Sequence, residues 1–335
     1  MKKTDFFTLN FDSDNLIFLD QTKLPLAEEY VSTSEYERIA EAIERLEIRG
    51  APAIGVAAAY ALALSLKNIA ADYECHFEKA YNRLASTRPT AVNLFWALNS
   101  VRDEFNMIAD KSDAYPALIK KAREIRLDDE EKCRKMAENG LGIFEKKSRV
   151  LTHCNSGRLA TAGIGTALGV IINAYKKGLV EHVYADETRP LLQGLRLTAF
   201  ELEKLGIPFT LQVDSAAAVL MSQNKIDLVI TGADRIASNG DAANKIGTYN
   251  LAVLCKHHSI PFYIAAPTST IDRSIASGNE IKIELRSTEE VVKIGGSFIT
   301  KPEYNVFTPA FDVTPAGLIA GIITEERLHK PPYGF

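Results

Sequence analysis

Two short apolar runs in this chain end abruptly in residues that can move protons. Val150-Leu151-Thr152 runs into His153-Cys154-Asn155-Ser156-Gly157, and further along Val229-Ile230-Thr231 runs into Gly232-Ala233-Asp234-Arg235. One delivers a thiol, the other a carboxylate, and a thiol and a carboxylate in one crevice can carry out general acid–base chemistry. A free cysteine inside a strand or helix is ordinarily an inert small hydrophobe. Cys154 instead stands at a strand end, before Asn-Ser-Gly, where a thiol can serve as proton carrier or nucleophile. Cys75, Cys133 and Cys255 fall inside expected helices or their flanks and keep the inert reading.

Other residues are suited to an anion. Arg49-Gly50-Ala51-Pro52 puts an arginine, two small residues and a proline at the mouth of an apolar helix, and Thr87-Arg88-Pro89-Thr90 repeats the arrangement before the next one. A helix N-terminus with an arginine is a seat for phosphate. Asn244 and Lys245, in Gly240-Asp241-Ala242-Ala243-Asn244-Lys245, follow Asp234 closely enough to serve the same pocket. Three more apolar runs end in Asp186-Glu187-Thr188-Arg189, Asp214-Ser215 and Pro267-Thr268-Ser269-Thr270. Turns favour such residues, so some of these carboxylates are expected to be caps or ion-pair partners.

The four cysteines are scattered with no C-x-x-C pair, which speaks against structural zinc and for free thiols in a reducing compartment. Gly163, Gly165 and Gly169 invite a dinucleotide reading, but they lie well past the strand rather than in its turn, where the fingerprint needs them. Neither a metal nor NAD is therefore expected. A net charge of −4 gives no support for nucleic acid or an anionic membrane as partner. The residues after Met1 form no apolar signal segment, and the apolar run at 51–66 is too short to span a bilayer, so a cytoplasmic protein is expected.

The elements that must position these residues fall into two patterns. With 335 residues, 46% of them hydrophobic and 24% charged, the chain can build two globular domains. Residues 1–147 read as a small, mainly helical domain with a few strands. A capping box at Ser34 opens a helix, 51–66 reads as a buried helix, and helices follow over 92–108 and 112–147. Residues 148–335 alternate strand and helix: strands at 149–153, 182–185, 209–213, 228–231 and 262–266, helices at 166–177, 192–205, 216–223 and 249–257, and a helix near 318–326. Such alternation means right-handed crossovers and a parallel sheet covered by helices, an α/β fold.

Several stretches together resemble a known family. R-G-A-P-A-I-G-V-A-A-A-Y at 49–60, T-R-P-T-A-V-N-L at 87–94, T-H-C-N-S-G at 152–157, A-D-E-T-R-P-L-L-Q-G at 185–194, the run from Gly232 to Tyr249, A-A-P-T-S-T-I-D at 265–272 and F-D-V-T-P-A at 311–316 are similar to the methylthioribose-1-phosphate isomerases. These share a superfamily with the alpha, beta and delta subunits of translation initiation factor 2B. The resemblance implies an aldose–ketose isomerase of methionine salvage, with a Rossmann-like carboxy-terminal domain, acting as a homodimer on a sugar phosphate without metal or nucleotide cofactor. It implies Asp234 as proton donor, Cys154 as its assistant, and Arg49, Gly50, Ala51, Arg88, Gln193, Asn244 and Lys245 as substrate-binding residues. A paralogue acting on 5-deoxyribose 1-phosphate, and a non-catalytic regulatory module of the initiation-factor type, are the alternatives. An aspartate can open a sugar ring as an acid at neutral pH only if its surroundings keep it protonated.

Overall fold

The computed structural model describes residues 6–89 and 91–335; the amino-terminal stretch read for a signal and Thr90 of the Thr-Arg-Pro-Thr motif lie outside the described residues. Packing divides the chain into two units, one of Met1–Arg134 with Ser156–Gly165, the other of Lys135–Asn155 with Thr166–Phe335. The change of sequence pattern at Ser148 coincides with the start of the parallel sheet, whereas the packing boundary falls inside a long helix.

The first unit begins with an antiparallel meander, β1 (Leu9–Asp12), β2 (Asn15–Leu19) and β3 (Tyr30–Thr33), paired in that order. Five helices follow: α1 (Tyr36–Glu44), α2 (Ala51–Leu64), α3 (Tyr73–Ala85), α4 (Val92–Met107) and α5 (Ala114–Asn139). The capping box expected at Ser34 does not form. Glu35 is the residue before α1 and makes no side-chain cap, and its N–H is taken by Thr33 Oγ1 at 3.1 Å. Helix α2 is apolar all round and buried from Ala53 to Leu64, as a helix without a polar face must be. A Cβ on Gly55 would lie 2.8 Å from the Asn93 carbonyl oxygen, so only glycine lets the first turns of α2 and α4 come this close. The unit also contains the segment 156–165, which follows Cys154 and Asn155. Gln21 Nε2 donates to the Leu159 carbonyl at 2.8 Å, and the buried Asp129 of α5 accepts from the Ala162 N–H at 2.6 Å.

The second unit contains β4 (Ser148–Thr152), α6 (Ala167–Lys176), β5 (Val180–Asp186), α7 (Ala199–Lys204), β6 (Phe209–Gln212), α8 (Ala217–Ser222), β7 (Leu228–Thr231), β8 (Arg235–Ala237), β9 (Ala242–Lys245), α9 (Thr248–His257) and β10 (Phe262–Ala265). Short strands complete it: β11 (Ile271–Asp272), β12 (Lys293–Ile294), β13 (Ser297–Phe298), β14 (Phe311–Thr314), β15 (Gly321–Ile323) and β16 (Leu328–His329). The main sheet runs β16-β15-β10-β7-β4-β5-β6 and is parallel except for β16. Val150, Leu151, Val229, Ile230 and Ile264 are fully buried, as central parallel strands covered on both faces require. From β4 the chain builds outward through β5 and β6 on one side. It then returns to β7 and builds outward through β10 and β15 on the other. The order therefore reverses between β4 and β7, and in open α/β sheets ligands bind at such a switch point, past the carboxyl ends of the strands.

Beyond the capping box, the structure differs from the sequence reading in one further element and adds a second sheet. The helix expected near 318–326 is absent: a short helical turn over Ala316–Leu318 leads into β15, because Ile322 and Ile323 are fully buried when extended beside β10. A second sheet, β11-β8-β9-β14, was not anticipated at all. Its strands are short and follow no alternating pattern. The tail folds back on this sheet's hairpin: the Tyr333 ring lies against Gly240, its hydroxyl donates to the Ile319 carbonyl at 2.8 Å, and the Phe335 N–H donates to the Ser238 carbonyl at 3.0 Å. Among the described residues no helix is long and apolar enough to cross a membrane.

Burial pushes the Asp129 carboxyl up to about 6, against the pull of the Ala162 N–H. A folded-state value above the unfolded one near 3.9 means that this group's stabilisation is complete below the unfolded value and is lost as pH rises through about 6. Asp129→Asn keeps an oxygen for Ala162 and cannot ionise. Relative to the native chain, the variant is expected to gain about 1 kcal/mol of stability between pH 5 and pH 7.5. Urea unfolding of both proteins at the two pH values measures this, and a pH-independent gap refutes it.

Candidate active site

Cys154 and Asp234 stand just beyond the carboxyl ends of the two strands that flank the switch point. β4 and β7 are hydrogen-bonded neighbours, with Val150 opposite Leu228 and Leu151 opposite Val229. The Thr152 hydroxyl donates to the Ile230 carbonyl at 2.9 Å and keeps the two strands together to their ends. Cys154 is half-buried with φ +62°, a left-handed conformation unusual for a side chain with a Cβ. Its surroundings hold it there. The Cys154 N–H donates to Thr188 Oγ1 at 2.8 Å, and its carbonyl accepts from Thr198 Oγ1 at 2.6 Å. Backbone strain of this kind persists only where both peptide groups are fixed. Asp234 is half-buried, and its N–H donates to the Ala243 carbonyl at 2.9 Å, which ties it to β9.

Strand β9 carries Asn244 and Lys245. It pairs antiparallel with β14, Asn244 opposite Asp312 and Lys245 opposite Phe311. Asn244 is buried and donates to Thr248 Oγ1 at 2.9 Å; the Lys245 ammonium lies 4.8 Å from the centre of the Phe311 ring. Asp312 accepts from the N–H groups of Gly247 (2.7 Å) and Tyr249 (3.0 Å), and so anchors the start of α9. Gln193 is buried, and its amide oxygen has no hydrogen-bond partner among the described residues. A buried acceptor left open calls for a polar group to fill it. The next residue is pressed onto the end of β5: a Cβ on Gly194 would lie 1.7 Å from the Asp186 carbonyl oxygen.

Beneath these residues runs a buried polar network. His153, between Thr152 and Cys154, is almost fully enclosed; its Nδ1 lies 2.9 Å from Asp186 Oδ2 and its Nε2 2.9 Å from the Ile246 carbonyl. Asp186 Oδ1 accepts from Gln212 Nε2 at 2.8 Å. Asp214 accepts from the Thr188 N–H (2.7 Å) and the Arg189 N–H (2.8 Å). Asn155, also buried, donates to Glu201 Oε1 at 2.8 Å. Burial opposes a charged His153 ring, but the hydrogen bond to Asp186 and the carboxylates of Asp186 and Asp214 outweigh it and hold the ring above its ordinary value. Burial also pushes Asp186 up, so the proton between Nδ1 and Oδ2 belongs to the pair. The side-chain donor atoms of His153, Asp186 and Asp214 lie within 4.8 Å of one another, close enough to chelate. Each already has a hydrogen-bond partner in the protein, which makes the cluster a structural network.

The structure thus brings Cys154, Asp234, Asn244 and Lys245 to strand ends of the second unit, with Gln193 at the turn after β5. Arg49, Gly50 and Ala51 lie at the start of α2, and Arg88 just before α4, in the first unit, where the close approach at Gly55 draws the two helix N-termini together. Of the other strand-end residues, Asp214 is a loop anchor, and Thr268 is held by Glu325 through its N–H at 2.9 Å. Sequence reasoning missed Thr188, Thr198, Gln212 and Asp312 as supports. Their only signal is that each is a polar residue beside a strand or helix end.

Gly194→Ala is expected to cost about 1–3 kcal/mol, because the added methyl meets a backbone oxygen that cannot yield. A fall of several degrees in thermal midpoint checks this, and an unchanged midpoint contradicts it.

Comparison with known proteins shows which chains this one is similar to. The family model described as the initiation factor 2 subunit family matches residues 47–331. A relative from Carboxydothermus hydrogenoformans named methylthioribose-1-phosphate isomerase is 49% identical over 97% of this chain and 96% of its own length. One of the same name from Desulfitobacterium hafniense is 52% identical, with 97% and 96% covered. Among solved structures, the 5-methylthioribose 1-phosphate isomerase of Pyrococcus horikoshii superposes with a TM-score of 0.92 at 42% identity, covering 99% of this chain and 95% of that one. A protein from A. fulgidus described as the delta subunit of translation initiation factor 2B gives a TM-score of 0.88 at 40% identity, covering 98% of this chain and 97% of that one. With these similarities over nearly its whole length, the chain belongs to the initiation factor 2 subunit family.

Proposed function

We propose that this chain is the aldose–ketose isomerase that converts 5-methylthioribose 1-phosphate to 5-methylthioribulose 1-phosphate in methionine salvage. The observation that carries the reading is the placement of Cys154 and Asp234 beyond the ends of β4 and β7, on either side of the switch point. The near full-length likeness to relatives of that name supports the substrate. The resemblance supports a homodimer working in the cytoplasm, and a division into a helical domain over 1–147 and a catalytic one over 148–335.

The chemistry follows from the substrate. With phosphate on the anomeric oxygen there is no free aldehyde to acidify the C2 hydrogen, so the ring must open first. In our reading Asp234 gives its proton to the ring oxygen as the C1–O bond breaks, leaving a C4 hydroxyl. Hydrogen then passes from C2 to C1. In one route Cys154, as the thiolate, removes the C2 proton to give an enol phosphate; it then returns a proton to C1 while the C2 hydroxyl gives its proton to the Asp234 carboxylate left by ring opening. In the other, hydride shifts from C2 to C1 while Cys154 takes the hydroxyl proton. Both yield the 2-ketone and a C1 methylene bearing phosphate. Substrate deuterated at C2 separates them, since label retained at C1 marks the hydride and label lost to water marks the enol. Arg49, Gly50, Ala51 and Arg88 hold the phosphate, with amides at a helix N-terminus assisting the guanidiniums. Gln193, Asn244 and Lys245 bind the remaining polar atoms of the sugar.

Turnover followed by NMR tests the reading. Methylthioribose 1-phosphate is expected to be preferred over 5-deoxyribose 1-phosphate by up to roughly a hundredfold in kcat/KM, the range one buried apolar group supports. Ribose 1,5-bisphosphate is expected to be poor. A preference for the deoxy sugar moves the assignment to the paralogue; no turnover of any pentose 1-phosphate, with tight binding to a translation factor, replaces it with the regulatory module.

Single substitutions separate the roles. Asp234→Asn is expected to abolish turnover while substrate still binds, and Arg88→Ala to weaken binding by about 1.5–3 kcal/mol, as for a lost charged hydrogen bond. Calorimetric titration beside kinetics measures both, and a near-normal rate in Asp234→Asn removes it as the acid.

A further inference from the structure

We infer that His153 is a positioning residue, whose ring fastens the turn after Asn244 and Lys245 to the strand end that carries Cys154. This rests on the isomerase reading for its effect on turnover, though not for the physical link itself. The Ile246 carbonyl can only accept, so Nε2 carries a hydrogen and donates across 2.9 Å from one loop to another. On its other side the ring meets Asp186, which is itself bound by Gln212 on β6, so the imidazole cannot rotate without breaking a buried pair. The turn it holds lies flat against it. Gly247 has φ +103°, and a Cβ there would stand 3.0 Å from His153 Cε1.

The opposite side of the turn is pinned independently. Ile246 N–H donates to the Ala310 carbonyl at 3.1 Å and Gly247 N–H to Asp312. Residues 245–247 are therefore clamped between β14 and the His153 ring. His153 and Cys154 share a peptide bond, and Cys154 is fixed at both its N–H and its carbonyl. One rigid dipeptide thus sets the distance between the thiol and the strand bearing Asn244 and Lys245. The carboxylates facing the ring are those of Asp186, Asp214 and Asp312.

The test uses His153→Asn, too short to reach Ile246, and Asp186→Asn, whose amide can donate to Nδ1 and leave the Nε2 hydrogen bond in place. Amide hydrogen exchange is followed by mass spectrometry over peptides spanning 244–250, and KM and kcat are measured for methylthioribose 1-phosphate. In His153→Asn, exchange over 244–250 is expected to rise at least tenfold with the β4 and β7 peptides unchanged, and KM to rise at least tenfold, more than kcat falls. Asp186→Asn is expected to show a smaller change in each. A merely structural role lowers kcat through loss of folded protein and leaves KM alone, which overturns the inference, as does native-like exchange over 244–250 in His153→Asn. If the native chain turns over no pentose phosphate, the isomerase reading fails while the exchange measurement still decides the link.

Discussion

Two parallel strands, buried on both faces, must stop hydrogen bonding somewhere, and where they stop the chain has to leave in two directions. That constraint organises the second unit. After β4 and β7 the sheet offers no further backbone partner, and the connections diverge because β5 lies to one side and β10 to the other. Strand order dictates where the chain diverges, and in open α/β sheets the residues that follow each strand at such a point are placed to meet a ligand. Cys154 and Asp234 occupy those positions on adjacent strands.

A crevice lined by loops holds its geometry only if the peptide groups of those loops are satisfied. Side chains meet that need here. Thr188 and Thr198 take the two peptide groups of Cys154, Asp214 takes two successive N–H groups after Asp186, and Asp312 takes two at the start of α9. Asp241 accepts from Gly278 and Ala316 and joins two further loops to the β8–β9 turn. Most carboxylates near the strand ends are thus occupied by backbone donors. Such anchoring is what a site needs if reacting groups are to be held within a fraction of an ångström.

Much of this was legible in the sequence, and the reason differs by element. The five core strands and the helices between them follow from apolar runs punctuated by small polar residues, a pattern imposed by burial on both faces. Helix α2 was visible because its composition admits no solvent-facing side. The Ser34 capping box failed because a local motif predicts only that a cap is available; the backbone turned at Glu35 instead. The stretch at 318–326 was misread because periodicity over a few residues cannot distinguish a strand beside β10 from a short helix. The sheet that holds Asn244 and Lys245 left little trace, since β8 and β9 form a very short hairpin without alternation and the other partner of β9, β14, comes some seventy residues later. His153 stood in view beside Cys154, but a histidine at a strand end says nothing of what its ring touches.

The late arrival of β14 bears on how the protein is made. As the chain leaves the ribosome, β4, β5, β6, β7 and β10 are complete before residue 270, and they can assemble as a nascent sheet. The hairpin bearing Asn244 and Lys245 then still lacks its neighbour, α9 lacks the Asp312 carboxylate at its start, and Gly240 lacks the Tyr333 ring against it. Those contacts become available only with the segment from Phe311 onward. The strands of the main sheet up to β10, with Cys154 and Asp234 after them, are thus synthesised well before the segment that completes the surroundings of Asn244 and Lys245.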